Sequence, residues 1–239
     1  MIEKEKYNQY NIYSFDTRYI YIAKEILERR FSLVKVLKDT KRNYVALIKI
    51  NQKKYVYKEA RNEYQIPQRK FFTLLKKGEA VETLKNINHL IEIGFSEYVR
   101  PLVAVNRRKS GMINFSFILM EYIDGTEDRK QVRRVIDKMK EIHEKGYYHG
   151  DFNPSNFIFS KDNKLHILDT QGKKMIFGNY RAHYDMLTMI WDSFPNLDYP
   201  IEKNIFYFLA VFIKSIKKLA FIKKIKKYKK SLRENGWKI

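Results

Sequence analysis

The 239-residue chain contains no cysteine. This absence excludes disulfide bonds, thiolate metal sites and cysteine nucleophiles, and it fits a reducing compartment. Long apolar segments are missing as well, because the longest uncharged apolar run, from Ile205 to Ile213, falls well short of the roughly 20 residues that span a bilayer. The N-terminal sequence MIEKEKYNQYNIYSF lacks the apolar stretch of a secretory signal. We therefore expect a cytoplasmic protein, long enough to bury a sizeable core.

Acidic residues are scarce relative to basic ones. The chain has 48 Lys and Arg against 27 Asp and Glu, a net charge of +21, which suggests an anionic partner unless it reflects a coding bias. About half of the excess lies in residues 201–239. There, Phe208 and Phe212 share a predicted helical face opposite Lys214, and the run KKIKKYKK at 223–230 indicates a basic helix end. Contact with an anionic lipid surface and simple solvation are both open, whereas no nucleic-acid-binding motif accompanies the charge.

Apolar periodicity divides the chain into a mixed part and a mainly helical part. Helical spacing follows the capping residues Asp16 and Thr17, returns at about 67–93 with a break at Gly78, and returns again at 131–145. Runs rich in Val, Ile and Tyr predict five strands, at 31–37, 44–50, 54–58, 102–105 and 115–122. We predict an α+β fold with a five-stranded antiparallel N-lobe at 1–123 and a mainly helical C-lobe at 124–239.

Residues 149–172, HGDFNPSNFIFSKDNKLHILDTQG, are the most suited to chemistry. Asp151 is followed five residues later by Asn156, and Asp169 ends the predicted strand Leu165 to Leu168. Each residue alone is a common turn former, but their joint spacing predicts a catalytic loop for phosphoryl transfer from Mg-ATP. In that chemistry Asp151 is the base that orients the attacking hydroxyl. Asn156 and Asp169 are the Mg²⁺ ligands, since hard oxygens suit this ion.

The loop HGDFNPSNF resembles the HGDxxxxN loop of the aminoglycoside phosphotransferase-like and lipopolysaccharide kinases, relatives of the protein kinase fold. In layout the chain is most similar to the lipopolysaccharide core heptose(II) kinase family, through YVYK near residue 58, LLKKGEAVETL, MEYIDG and LDTQGKK. The resemblance covers most of residues 31–185. It implies a bilobal protein-kinase-like fold that binds ATP between its lobes. It also implies phosphorylation of a heptose in the lipopolysaccharide inner core, at the cytosolic face of the inner membrane.

Departures from the protein kinase pattern favour a small-molecule acceptor. Gly150 replaces the Arg that lets a phosphorylated activation loop control the site, and Asn153 stands where serine/threonine kinases usually place Lys. The segment after Asp169 is short and leaves little room for a peptide-binding platform. Further on, Asp185 resembles the aspartate that opens a large-lobe helix and braces the catalytic loop, although a helix N-cap would look the same in sequence.

The lysine that contacts the ATP phosphates has two candidates. The string VALIK ending at Lys49 looks more like the kinase motif, but Lys58 ends the last strand before the helical region and is preferred. Its carboxylate partner is expected after Gly78, where Glu79 and Glu82 lie one turn apart on one helix face. We favour Glu82, with Glu79 as the alternative, although acidic residues in a first turn also simply suit the helix dipole.

By the same resemblance, adenine meets the backbone of three hinge residues, Glu121, Tyr122 and Ile123. The turn that would cover the phosphates, KDTKRN at 38–43, has no glycine, so its amides cannot approach phosphates as a Gly-rich loop allows. Lys38, Lys41 or Arg42 would supply side-chain charge instead.

Three functions remain open on sequence grounds. The first is ATP-dependent phosphorylation of a lipopolysaccharide core heptose. The second is another small-molecule kinase of the same fold, acting on Kdo or an aminoglycoside, although a polycationic aminoglycoside suits an acidic pocket better than this basic chain. The third, motivated by the glycine-free turn, is a catalytically inactive module that binds membrane glycolipids. Binding of Mg-ATP separates the third from the other two.

Overall fold

The computed structural model describes residues 1–197 and 202–218. The chain divides into two compact units, Met1–Ile123 and Asp124–Ile239, which we call unit 1 and unit 2. The basic run at 223–230, with its predicted lipid contact, lies outside the described residues. Among the helices that are described, none is both long and apolar enough to cross a membrane.

Unit 1 is built on one antiparallel sheet of seven strands. Its strands are β1 (Glu3–Tyr7), β2 (Tyr10–Ser14), β3 (Ser32–Asp39), β4 (Tyr44–Ile50), β5 (Lys53–Glu59), β6 (Pro101–Lys109) and β7 (Met112–Glu121). In space their order is β1-β2-β6-β7-β5-β4-β3, so β1 and β3 form the two edges. Lys58 on β5 therefore pairs with Val45 of β4 on one side and with Ile118 of β7 on the other.

The prediction of a five-stranded sheet is wrong in the number of strands. All five predicted strands are present, and β1 and β2 add a hairpin whose turn contains Asn8 at a φ of 53°. Only Ile12 and Ser14 of this hairpin are buried. Its other residues are charged, amide or tyrosine side chains at the sheet edge, so the apolar alternation that marks a strand is nearly absent.

Four helices accompany the sheet: α1 (Thr17–Leu27), α2 (Arg61–Gln65), α3 (Pro67–Phe72) and α4 (Glu79–Glu92). Asp16 caps α1 as predicted, since its carboxylate accepts the Arg18 N–H at 2.9 Å. The helical region predicted at 67–93 is divided before Gly78 by a turn, as the break in periodicity indicated.

Each face of the sheet buries its own apolar layer. On one face α1 packs against a cluster that includes Tyr57 and Leu119. On the other face Ala104 and Ile118 are covered by three residues of α4, Ala80, Val81 and Leu84. Opposite residues of an antiparallel pair point to the same face, so Lys58 lies on the α4 face together with Ile118.

Unit 2 contains three helices and five short strands in its described part. The helices are α5 (Val132–Glu144), α6 (Tyr180–Ser193) and α7 (Ile205–Lys218). The strands are β8 (Gly125–Thr126), β9 (Tyr147–Tyr148), β10 (Phe157–Ser160), β11 (Leu165–Ile167) and β12 (Lys173–Lys174). β8, β10 and β11 form one antiparallel sheet, and β9 pairs with β12. The predicted catalytic loop therefore lies between β9, which pairs with β12, and β10, which pairs with β8 and β11.

The orientation predicted for the last helix is wrong. On α7, Phe208 and Phe212 are 59% and 62% exposed, whereas Lys214 is only 4% exposed. The Lys214 ammonium donates to the Asp192 carboxylate of α6 at 2.6 Å and to the Thr188 hydroxyl at 3.1 Å. These acceptors allow a lysine to be buried, which apolar periodicity alone does not reveal.

Candidate active site

A buried carboxylate on α6 holds the loop that forms the candidate site. Asp185 is 1% exposed and accepts the backbone N–H groups of His149 at 2.7 Å and Gly150 at 3.0 Å. The ring of His143 on α5 lies 3.3 Å from the same carboxylate. Asp185 is the sixth residue of α6, and Asn179 takes the N-cap position, so Asp185 is not a helix cap and does not open the helix, which corrects that part of the prediction. It braces the loop, as the resemblance implied.

His149 connects the loop to the end of β11. Its Nε2 lies 2.9 Å from the Leu168 carbonyl oxygen, and its Nδ1 lies 3.3 Å from the Asp151 amide nitrogen. Because a carbonyl only accepts, this network assigns the proton to Nε2 and leaves Nδ1 to accept the Asp151 N–H. Burial lowers the pKa of His149, which favours the neutral ring that the network requires.

The amide of Asn156 fixes it relative to Asp151. Its Nδ2 donates to the Asp151 carbonyl oxygen at 2.8 Å and lies 3.4 Å from a carboxylate oxygen of the same residue. Since the carbonyl can only accept, the contact defines which way the Asn156 amide points and turns its Oδ1 away from Asp151. Asn156 is buried and Asp151 is exposed. The Asp151 carboxylate is therefore open to a substrate hydroxyl.

Asp169 follows β11 with a φ of 50°, in the left-handed region. Hydrogen bonds on both sides hold it against the loop. The Leu168 N–H donates to the Asn156 carbonyl oxygen at 2.8 Å, and the Thr170 hydroxyl donates to the His149 carbonyl oxygen at 2.9 Å. The chain on either side of Asp169 is thus hydrogen-bonded to the loop that carries Asp151 and Asn156.

The oxygens of Asn156 and Asp169 suit a magnesium ion. Asn156 offers its Oδ1, because its amide nitrogen is engaged with Asp151, and Asp169 offers a carboxylate. In the described ranges no group of three or more His, Cys, Asp or Glu side chains is arranged to hold a metal. Mg²⁺ is commonly bound through one or two protein side chains, with phosphate and water oxygens as the remaining ligands.

The two candidate lysines occupy different positions in the sheet of unit 1. Lys58 is half-buried near the end of β5, on the face that α4 covers. Lys49 is next to the β4–β5 turn, where it pairs with Lys54 and with Ser32 of the edge strand β3. Lys58 is therefore the lysine with α4 packed over its cross-strand neighbour, which supports the preference for it.

Unit 1 contains a buried carboxylate that was not predicted from the sequence. Glu63 of α2 is 8% exposed, and its carboxylate accepts the Glu79 N–H at 2.6 Å and the Ser116 hydroxyl at 3.1 Å. Burial raises its pKa. Glu63 caps α4, whose N-cap residue is Gly78 with no side chain to do so. The signal in the sequence was a helix start at LysLysGly without a capping residue.

Glu82 and Glu79 both lie in the first turn of α4 and are half-buried. The Glu82 N–H makes the first helical hydrogen bond, to the Gly78 carbonyl oxygen at 3.0 Å. Glu82 stays the predicted partner of Lys58, with Glu79 as the alternative.

The glycine-free turn between β3 and β4 is closed by its own side chain. The Thr40 hydroxyl accepts the N–H groups of Arg42 at 3.3 Å and Asn43 at 3.0 Å. These amides are therefore used within the turn. Lys38, Lys41 and Arg42 are exposed, so the turn presents side-chain charge to its surroundings.

The predicted hinge lies at the end of β7. The Glu121 N–H donates to the Arg100 carbonyl oxygen at 3.0 Å, so this amide is engaged within unit 1. Tyr122 and Ile123 follow β7 directly, and Lys54 Nζ lies 5.4 Å from the centre of the Tyr122 ring. Contact between this hinge and adenine stays a prediction.

The segment after Asp169 places cations beside the loop. Lys173 of β12 pairs with Tyr148 of β9, the strand that leads into the loop. The Arg181 guanidinium lies 5.4 Å from the centre of the Tyr148 ring. Lys173, Lys174 and Arg181 are exposed, and none of them forms an ion pair within the described part of the chain.

The fold and the site define an α+β protein compatible with a kinase-like fold, in which a braced loop presents an Asp and an Asn beside an Asp at a strand end. The model of the family described as lipopolysaccharide core biosynthesis protein (WaaY) matches residues 1–228, and the chain belongs to this family. One relative, the lipopolysaccharide core heptose(II) kinase WaaY of Escherichia coli, is 27% identical over 185 residues, covering 72% of this chain and 79% of that protein. Both findings confirm the resemblance predicted from the sequence.

Proposed function

We propose that this protein is an ATP-dependent kinase that phosphorylates a heptose of the lipopolysaccharide inner core. The observation that carries the proposal is the loop braced by Asp185, which presents Asp151 and Asn156 beside Asp169 in a member of this family. A kinase of lipid-linked core acts in the cytoplasm at the inner face of the inner membrane.

Each of the three predicted catalytic residues takes one role in phosphoryl transfer. The exposed Asp151 carboxylate orients the sugar hydroxyl and accepts its proton as the hydroxyl oxygen attacks the γ-phosphorus, whose bond to the bridging oxygen breaks to release ADP. The Asn156 Oδ1 and the Asp169 carboxylate would hold Mg²⁺, which would neutralise charge on the phosphates. The hydrogen bonds from Leu168 and Thr170 fix the position of Asp169, and catalysis by orientation depends on such fixed geometry.

Unit 1 supplies the groups that contact the nucleotide. Lys58 pairs with the ATP phosphates, and Glu82 orients Lys58 from α4. Exposed cations of the β3–β4 turn, Lys41 and Arg42, act where a Gly-rich loop would offer amides. Glu63 acts indirectly, since it fixes the start of α4.

The acceptor is expected to be anionic. Lys173, Lys174 and Arg181 are exposed cations next to the strand that enters the catalytic loop. Such groups attract phosphate or carboxylate substituents on a core sugar and repel a polycationic aminoglycoside. This charge therefore supports a core acceptor over the aminoglycoside alternative.

Transfer in vitro tests the proposed function. Purified protein with Mg-ATP and core oligosaccharide that lacks heptose phosphate should yield a product heavier by one phosphate, located on heptose by tandem mass spectrometry. Transfer to Kdo instead of heptose would contradict the proposal, as would an absence of transfer by protein that binds Mg-ATP.

A second candidate is an inactive glycolipid-binding module. The internal use of the Arg42 and Asn43 amides in the β3–β4 turn favours it, because those amides do not face a phosphate. Titration calorimetry separates the two: the kinase binds Mg-ATP, whereas folded protein without measurable Mg-ATP binding would support the module.

A further inference from the structure

Unit 1 exposes a compact apolar surface at the end of α3 and in the turn that follows. We call it the Phe-Leu patch and define it as Phe71, Phe72, Leu74 and Leu75. Their side chains are 60%, 57%, 44% and 85% exposed, respectively. Single exposed apolar residues are ordinary, but four within five consecutive positions form a contiguous surface of the kind that contacts a partner or a membrane.

The patch is held firmly on the sheet beneath it. Thr73, in its middle, is buried, and its hydroxyl oxygen accepts the Ile113 N–H at 2.9 Å. The Arg108 guanidinium donates to the carbonyl oxygens of Thr73 at 2.8 Å and Lys76 at 2.6 Å. The Asn106 amide donates to the Lys77 carbonyl oxygen at 3.2 Å. The exposure of the patch is therefore a feature of a well-anchored turn.

In the sequence, cations lie on both sides of the patch. Residues 64–78 contain no Asp or Glu, and they contain four cations, Arg69, Lys70, Lys76 and Lys77. None of the four forms an ion pair within the residues that the structure describes. Contact with Lys77, together with burial, lowers the pKa of Lys85 on α4. Like charges thus meet at Lys77 and Lys85, and an anionic partner would relieve their repulsion.

We propose that the Phe-Leu patch is the surface by which this protein binds an anionic lipid bilayer. Its apolar side chains enter the interface between headgroups and acyl chains, and the four flanking cations contact lipid phosphates. The proposal depends on this surface and not on phosphoryl transfer, although a lipid-linked acceptor gives membrane contact a use. It also differs from contact through the basic run at 223–230, which every variant below retains.

Sedimentation with vesicles tests the patch in the full-length protein without ATP or acceptor. The wild type should bind vesicles of phosphatidylglycerol mixed with phosphatidylcholine more tightly than vesicles of phosphatidylcholine alone. The double variant Phe71→Ser with Leu75→Ser should bind the anionic vesicles about tenfold more weakly, because it removes the most exposed apolar groups. A second double variant, Arg69→Glu with Lys76→Glu, should bind the anionic vesicles more weakly than the wild type, by about fivefold or more for each cation replaced. Added salt should reduce this difference between the variant and the wild type.

Matched controls keep the test specific. Phe208→Ser with Phe212→Ser removes a similar exposed apolar surface from α7, and Lys6→Glu with Lys130→Glu changes the same charge at exposed positions elsewhere. Both controls should bind within about twofold of the wild type if the patch is the contact surface.

Three outcomes would overturn the proposal. In the first, both patch variants bind anionic vesicles as tightly as the wild type. In the second, the α7 variant loses vesicle binding while the patch variants keep it. In the third, light scattering shows that the patch variants dissociate a wild-type oligomer while vesicle binding is unchanged, which would make the patch a contact between copies of this chain. Melting curves that match the wild type establish that each variant is folded.

Discussion

Asp185 is the residue on which the geometry of the catalytic loop depends most directly. Its buried carboxylate accepts N–H groups from both His149 and Gly150. Asp185→Asn would turn an amide nitrogen toward one of these donors, and hydrogen bonds to a charged group contribute about 1.5–3 kcal/mol each. We expect a loss of about 2 kcal/mol in unfolding free energy by urea denaturation and a drop of about a hundredfold in transfer rate.

Asp137→Asn is the matched control for this prediction. Asp137 is exposed on α5, so its change should leave both stability and transfer within a factor of about two. If Asp185→Asn transferred phosphate at the wild-type rate, the bracing carboxylate would not be needed to position the loop.

The buried ring of His149 predicts a pH dependence. Burial lowers its pKa in the folded protein below the value of about 6.5 expected for the unfolded chain. Below about pH 6.5 the unfolded chain therefore binds a proton that the folded chain does not, and stability falls as pH falls. The melting temperature of the wild type should drop more steeply between about pH 7 and pH 5.5 than that of His149→Gln.

The comparison with His149→Gln isolates one group. Burial also lowers the pKa of His183, and this second histidine contributes the same pH dependence of stability to the wild type and to His149→Gln. Parallel pH profiles of the wild type and the variant would contradict the role given to His149.

Among single residues, the loop that brings Asp151 and Asn156 close to Asp169 was predictable from the sequence, whereas Glu63 was not. The spacing of the loop could be read from the sequence, because phosphoryl transfer needs these residue types at short, fixed separations along the chain: Asp151, Asn156 and Asp169. Glu63 acts across 16 positions on the amide of Glu79, and no local pattern marks a carboxylate that caps a distant helix.

Among the elements, the start of α4 depends on Gly78. Its φ of 103° disfavours any side chain, and a Cβ there would lie 2.5 Å from Cδ1 of Ile113. Gly78→Ala should destabilise the protein by about 2–5 kcal/mol, the sum of a left-handed backbone and an overpacked contact. Chemical denaturation measures the loss.

Gly94→Ala is a control with a similar positive φ and no clash. Gly94 has a φ of 109°, and a Cβ added there would meet nothing within 4 Å. It should lose only about 1–2 kcal/mol. If Gly78→Ala and Gly94→Ala lost the same unfolding free energy, packing of residue 78 against Ile113 and Glu63 would not matter at this helix start.

The short strand β12 and the start of α6 predict how the acceptor is recognised. Lys173→Ala with Arg181→Ala removes two exposed cations beside the loop and should raise the KM for a phosphorylated core acceptor about tenfold or more, since each contact with an anion is lost. Binding of Mg-ATP, measured by calorimetry, should not change.

Lys130→Ala, an exposed cation on the turn before α5, is the control and should leave the acceptor KM as it is. Acceptors with a phosphate, with a carboxylate or with neither show which anion the cations recognise. An unchanged KM with every acceptor would exclude this role for Lys173 and Arg181.

Elements with an apolar period were predictable, and elements without one were not. The strands β3 to β7 carry Val, Ile and Tyr runs, whereas the β1–β2 hairpin buries only Ile12 and Ser14. The orientation of α7 depends on the ion pair between Lys214 and Asp192, a tertiary contact that overrides the apolar face seen in sequence.

For the whole molecule, the family follows from motifs spread along the chain, and the family match over residues 1–228 confirms it. The Phe-Leu patch could not be predicted, because the same sequence on a helix suggests a core face. Its exposure results from the turn after α3, where Thr73 alone points inward.

The central claim is that Asp151 enables phosphorylation of a core heptose. Its most direct test is mass spectrometry of core oligosaccharide from a strain that lacks this protein, complemented with the wild type, Asp151→Ala or the exposed control Asp137→Ala at equal protein levels. We predict that the deletion removes one heptose phosphate, which the wild type and the control restore and Asp151→Ala does not. Unchanged core phosphate in the deletion strain, or full restoration by Asp151→Ala, would contradict the account.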